Sequence, residues 1–392
     1  MIQLIHNVAR NYAWGSRTMF ESLGIEPTGE PMAEIWFGTH PGSPSVLADE
    51  VEQTLESHLG GRHLTFLLKL LAAEEPLSIQ AHPNSEQARA GFAREEALGI
   101  PKDSPARNYK DDQHKPEMIV ALSDEFHALC GLRPLSDSNT LLRALSVVPD
   151  KSDGYYQQLL NWTDTLNTSG LSACFHSILA RAGHLETFEQ ELLSALPVVS
   201  AAHPEFAGSC ETVAALAKLY PGDVGVVLSL LMNHTVLKPG QALFLPAGNV
   251  HAYLYGLGVE IMAASDNVIR GGLTPKHIDI DELCAILDFT PRPIPYVETL
   301  HLSDNVVSYP VPVSDFTLAR VTVTADRPQA LHLSGDNLVL CTHGEVKVAD
   351  HEQSANVMTG QAAYVGQEAD LVHLSGDGVV FIASDGTGVR LP

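Results

Sequence analysis

The stretch Leu237–Ile278, LKPGQALFLPAGNVHAYLYGLGVEIMAASDNVIRGGLTPKHI, decides how this chain is read. Ala242 to Leu245 is a short apolar run of the kind that forms a buried strand, and Pro246 with Gly248 forces a turn directly after it. His251 then opens the return strand, where its imidazole can point into a barrel. The spacing is Gly240, five residues, Pro246, one residue, Gly248, two residues, His251. A lone histidine is more often a satisfied core or surface residue than a metal ligand. The functional reading stands only if the rest of the chain supplies partners.

The bulk properties narrow the classes. With 392 residues the chain is too long for one small core, so two or three domains are expected. Hydrophobic residues at 45% and charged residues at 18% are ordinary globular composition, which argues against long disorder. A formal net charge of −24 argues against a nucleic-acid binder or a protein of anionic membranes. It also means that an anionic substrate needs a local cluster of Lys and Arg. The start, MIQLIHNVARNYAWGS, lacks a charged segment followed by a long apolar one, and no run approaches the roughly 18 apolar residues of a membrane span. Cys130, Cys174, Cys210, Cys284 and Cys341 are scattered with no CxxC pair, which suits reduced thiols. A cytoplasmic monomer is expected.

Outward from the opening stretch, the periodicity changes twice. In residues 1–75, Tyr12–Gly15 and Glu34–Gly38 read as strands, with Thr39–Pro44 as a connection. Phe66–Leu71 is a buried strand or a helical turn, and Lys69 inside it either snorkels out or meets a fixed anion. Leu77–His82 alternates, so Ser78, Gln80 and His82 share one strand face. Ser85–Leu98 reads as a helix capped by Ser85, and His114–Leu122 as another strand. Between Ser136 and Pro221 apolar residues recur at three- and four-residue steps, the pattern of an amphipathic helical insert. Strands are expected to resume with Gly225–Met232. Ile278–Phe289 reads as a short helix and Thr290–Tyr296 as a Pro-rich linker. The remainder has the turn spacing of a second barrel or sandwich. Within it Gly360-Gln-Ala362 echoes Gly240-Gln-Ala242, which sets Gly366 opposite Pro246, Glu368 opposite Gly248 and Leu371 opposite His251. The second unit would then lack the metal ligand and serve packing.

The partners of His251 are found upstream. Gln80 and His82, two apart on one strand face, can grip one ion, and Glu117 stands on another strand. Two imidazoles, one carboxylate and one amide oxygen suit a borderline divalent ion such as zinc, with room for substrate or water.

The spacing around His251 resembles the second motif of the cupin superfamily. Tyr12–Gly15, Glu34–His40, Leu77–Asn84, Asn108–Met118, Pro246–Tyr253 and Ala264–Lys276, in that order, resemble type I phosphomannose isomerases along essentially the whole chain. The resemblance implies a mainly β fold with a helical insert: a cupin-type catalytic barrel from residues 1–135 and 222–290, helices in 136–221, and a degenerate cupin-like unit in 291–392. It implies one zinc ion per chain bound by Gln80, His82, Glu117 and His251. It also implies reversible isomerisation of mannose 6-phosphate and fructose 6-phosphate, which would link this chain to mannose metabolism. Arg270 comes in as the family's catalytic arginine; without the family context it would read as a surface residue or a partner of Asp266.

Aldose–ketose conversion through an enediol needs a base, an electrophile at the sugar oxygens and a cation facing the enediolate. Glu260 and Lys115 compete for the base, with Asp266 and His114 as subsidiary candidates near the substrate. Lys276, Lys69 and Ser78 are candidates for the phosphate, and Tyr253, with Trp14 and Trp36, for the sugar. An iron-dependent oxygenase and a non-catalytic sugar-binding module are the alternatives. Gln80 argues against the first, because iron(II) usually takes a two-histidine, one-carboxylate set. The complete ligand set argues against the second.

Overall fold

In the computed structural model, which describes residues 1–48 and 53–392, two antiparallel sheets stack against each other and a helical group covers one flank. The first sheet has nine strands: β1 (Glu34–Phe37), β2 (Phe66–Ala73), β3 (Ile79–Ala81), β4 (Glu117–Ala121), β5 (Phe126–Leu132), β6 (Met232–Leu237), β7 (Ala242–Leu245), β8 (His251–Ala263) and β9 (Ile269–Gly272). The return strand of the opening stretch, β8, is its spine. His251 pairs with Gln80 of β3 and Cys130 of β5, while Gly256–Ala263 pairs with β2 and Gly258–Met262 with β4.

Period-two alternation sorts these strands. Phe66, Leu68, Leu70 and Ala72 of β2 join Val259 and Ile261 of β8 and Met118 and Val120 of β4 in a core shared with the second sheet. The intervening Leu67, Lys69, Leu71, Glu117, Glu260 and Met262 face a cavity. Burial on both faces explains why Phe66–Ala73 is apolar almost throughout and why its sequence alone left strand and helix open.

The helices Leu135–Ser146, Asp153–Leu179, Glu186–Ala202 and Ala207–Leu219 form the insert. Their apolar faces pack on Ile79 and Ala81 of β3 and on Ala252 and Leu254 of β8. Ile79 is fully buried there, a contribution of about 1.5–3 kcal/mol for a side chain of this size. This packing holds β3 with Gln80 facing the cavity.

Three local expectations change. Tyr12–Gly15 runs through a turn and one isolated bridge, not a strand. The helix Ser85–Ala97 is capped by Asn84, one residue earlier than expected, in a reciprocal capping box with Gln87. Val224–Leu228 is a short α-helix continued by a 3-10 turn, and the strand begins only at Met232. An apolar run buried on every side carries no period, and the side chain of Asp223, accepting from Gly225 N, starts a helix here.

The second sheet has ten strands and includes two from the start of the chain, Ile2–His6 and Val46–Leu47. Ile2–Ile5 pairs antiparallel with Val365–Ala362. The sequence echo has a structural counterpart. Gly240 and Gly360 have φ of 82° and 81°, each precedes a four-residue strand (Ala242–Leu245, Ala362–Val365), and each leads on to a long one (His251–Ala263, Leu371–Ser384). Among the described residues all five cysteines are free, and no helix is long and apolar enough to cross a membrane.

Candidate metal centre and substrate cavity

The four expected ligands meet beside a cavity of about 920 Å³, whose lining includes Gln80 and Glu117. His82 follows β3, Glu117 opens β4 and His251 opens β8, and all three are at most 2% exposed. Glu117 Oε1 lies 3.3 Å from His82 Nε2, and Glu117 Oε2 lies 3.3 Å from His251 Nε2. The outer ring nitrogens are engaged elsewhere: His82 Nδ1 donates to the carbonyl of Asn267 at 2.7 Å and His251 Nδ1 to that of Asn249 at 3.0 Å. Both Nε2 lone pairs therefore face the carboxylate. The Gln80 amide stands 3.4 Å from His251 Nε2, and an amide flip turns its oxygen toward the same point.

This donor set fits a cation. His82 Nε2 and Glu117 Oε2 are buried without a hydrogen-bond partner, an arrangement that is costly unless a positive charge lies between them. Burial first, and Lys115, push the His82 imidazole down to about 4, so it is a neutral donor at pH 7. Burial acts to raise the Glu117 carboxyl, but Lys115, His82 and His251 outweigh it and hold it well below the usual carboxylate range. Backbone carbonyls fixing the outer nitrogens are the usual support of metal-binding histidines.

The other expected residues line the same cavity: Glu260, Lys115, Arg270, Ser78, Lys69, Lys276, Tyr253 and Asp266. Their environments separate them. Lys115 Nζ binds Glu117 Oε1 at 3.0 Å. Lys69 is directly opposite Glu260 in the β2–β8 register, and its Nζ lies 2.8 Å from Glu260 Oε2 and 3.4 Å from Glu34 Oε1. Its charge is shared between two carboxylates, the fixed-anion alternative for a lysine in an apolar run, while its side chain still lines the cavity. Burial lowers the Lys69 ammonium while Glu260, Glu34 and Glu117 raise it further, and it stays charged. Burial raises the Glu260 carboxyl despite Lys69, and Glu117 and Glu34 add to the rise. Tyr253 presents a buried, unpartnered hydroxyl. His114 turns away to Asp315, 2.8 Å distant.

Arg270 sits opposite Gln80 across β9 and β3, with His251 on Gln80's other side. Asp266 is paired with His40 at 3.3 Å rather than with Arg270, and no ion pair of Arg270 occurs among the described residues. Burial pushes its guanidinium down. Burial, Arg270 and Lys110 likewise push the Lys276 ammonium down, so three mutually repelling cations line the cavity.

Sequence reading missed Lys110, Glu34 and His40. All three lie in the motifs Asn108–Met118 and Glu34–His40, which were the available signal; the pairings of Glu34 and His40 depend on strand register and a loop return. It also missed Asn267, which joins two motifs. Its side chain accepts from Lys110 N at 2.7 Å and donates to Gln113 O at 2.8 Å, while its carbonyl holds His82.

Comparison with known proteins gives a consistent set of relatives. The family "Phosphomannose isomerase type I, catalytic domain" matches residues 2–135. The chain is 36% identical over 397 residues to mannose-6-phosphate isomerase of Salmonella typhimurium, covering 96% of this chain and 98% of that protein. It is 33% identical over 379 residues to the Homo sapiens enzyme of the same name, covering 86% of each. It is also similar to a crystal structure of the Salmonella typhimurium enzyme bound to fructose 6-phosphate and zinc, with a TM-score of 0.86, 34% identity, and 98% of this chain and 99% of that chain covered.

Proposed function

Because this chain belongs to the type I phosphomannose isomerases, we propose that it interconverts mannose 6-phosphate and fructose 6-phosphate, with zinc at the His82–Glu117–His251 centre, through an enediol. The observation that carries the reading is a buried, lone-pair-rich ligand set beside a cavity lined by Arg270, Lys110 and Lys276. Gln80, His82, Glu117 and His251 would hold the ion. When bound, zinc supplies Lewis acidity toward the sugar's carbonyl and hydroxyl oxygens.

The chain's own groups divide the remaining work. Arg270, without a carboxylate partner and adjacent to the ligand strand, opposes the negative charge that develops on the enediolate oxygens. Glu260, with its raised pKa, receives the proton from C2 and returns it at C1. Lys115 is the competing base; its contact with Glu117 favours instead a role in holding that carboxylate toward the ion. Lys276, Lys110 and Ser78 bind the phosphate, Tyr253 and Trp36 face the sugar, and Asp266, held by His40, borders it. Residues 1–135 and 222–290 serve as the catalytic unit, 136–221 as the helical insert and 291–392 as a cupin-like unit without a ligand set, with strand Ile2–His6 crossing into the second sheet.

The test is exchange of the C2 proton of mannose 6-phosphate with solvent deuterium, followed by NMR under anaerobic conditions. Exchange that accompanies fructose 6-phosphate formation, is lost on chelation and returns with zinc supports the reading. Binding of the sugar phosphate with no exchange would reduce the chain to a binding module.

A further inference from the structure

The loop that follows Arg270 and carries Lys276 is held at the point where the chain has just left the helical insert. After Arg270 the β9 ladder slips register, and the backbone leaves the sheet through Gly271 and Gly272. Leu273 is then in the left-handed region at φ 54°, an unfavourable conformation for a bulky residue. Something outside the loop must hold it. Asp223, the last residue before the helix Val224–Leu228, accepts three backbone N–H groups: Gly225 and Leu273 at 2.7 Å on Oδ1, and Thr274 at 3.2 Å on Oδ2. Thr274 Oγ1 in turn accepts from Lys276 N at 3.2 Å. The close approach is built in. A Cβ on Gly272 would lie 2.5 Å from Gly225 Cα, and one on Gly225 would lie 2.7 Å from Leu273 N. A second contact ties the end of the insert to the cavity, where Tyr220 donates to Pro76 O at 2.8 Å beside Leu77 and Ser78.

We propose that Asp223 is a positioning residue for the phosphate end of the substrate: its carboxylate ties the Leu273–Thr274 backbone to the start of the helix Val224–Leu228, just past the insert, and so sets where Lys276 stands. This rests on the reading that the cavity takes a sugar phosphate. It gives the junction after the insert a role in recognition although it carries no ligand or base. Arg270 and Lys276 repel each other, so without the carboxylate the loop relaxes out of the left-handed conformation and the two charges separate.

The experiment uses the zinc-loaded full chain as wild type, Asp223→Ala, Asp223→Asn and Ser152→Ala. Ser152 caps the long insert helix that shares a core with Val224–Leu228 and does not touch the loop, so its removal reports loss of insert stability alone. Asp223→Ala should speed amide exchange in the 271–276 segment. It should weaken binding of inorganic phosphate, measured by calorimetry, by about tenfold or more and raise KM for mannose 6-phosphate in parallel, with a smaller change in kcat. Asp223→Asn keeps one acceptor oxygen and should fall between, and it is the variant to read if the alanine protein does not fold. Ser152→Ala should leave phosphate affinity and KM unchanged. Unaltered phosphate affinity in both Asp223 variants, equal weakening in Ser152→Ala, or no phosphate binding by the wild type would each overturn the proposal. A wild type that binds phosphate but does not isomerise mannose 6-phosphate would instead sink the functional reading, and exchange and phosphate affinity would still decide the role of Asp223.

Discussion

The two sheets repeat one strand plan and use it for opposite ends. In each, a Gly-Gln-Ala turn leads to a four-residue strand, a second turn and a long strand. The long strand of the first sheet opens on His251, which is 1% exposed and faces Glu117; that of the second opens on Leu371, which is 38% exposed. Beyond those residues the contrast deepens. The inward side of β8 and its neighbours carries Lys69, Glu117 and Glu260 around an open cavity, whereas Val372, Leu374, Val380 and Ile382 fill the interior of the second unit with aliphatic packing. A shared backbone therefore does not make a site. A site also needs ligands on neighbouring strands, empty space, and buried charges that satisfy one another, and only the first sheet has all three.

Exchanging the two equivalent residues gives the largest effect and the smallest. His251→Leu installs the second sheet's residue in the first, and should abolish zinc binding and lower isomerase activity by about 10³-fold or more, checked by metal analysis and assay of the same sample. Arg270→Ala removes a cation without touching the ligands. It should lower kcat by about 10²–10³-fold at unchanged zinc content, and near-normal turnover would refute its assigned role. Leu371→His is the reciprocal change. Its neighbours His332 and Asp370 are paired with each other at 3.3 Å on the open surface, with no buried carboxylate between them, so it should take up no zinc at the concentration that fills the first site and shift stability by less than about 0.5 kcal/mol, read by metal analysis and chemical denaturation. Zinc bound at residue 371 would mean that the strand plan alone is enough, which is contrary to the comparison.

Much of the site was legible because its elements are local. Gln80 and His82 are two apart on an alternating strand, His251 follows a Pro-x-Gly turn, and Glu117 opens its own strand, so each announces its face without reference to the rest. Residues whose meaning depends on register were not. Lys69 is a lysine in an apolar run until β2 is set beside β8 and its partner proves to be Glu260. Asp223 precedes a run expected to be a strand and announces nothing until Leu273 and Thr274 return to it from 50 and 51 residues away.

The sequence by itself determined the alternation of the strands, the amphipathic insert, the four ligand candidates and the family resemblance, because each is written in residue types at short spacing. Only the tertiary structure decided that Val224–Leu231 is helical, that Ile2–His6 belongs to the second sheet, that Lys69 is paired with Glu260 while Arg270 has no carboxylate partner among the described residues, and that Asp223 holds the loop of Lys276. The physical reason is the same in each case. Burial on all sides erases periodicity, and an ion pair or a backbone clamp is a property of two distant segments whose register neither can encode alone.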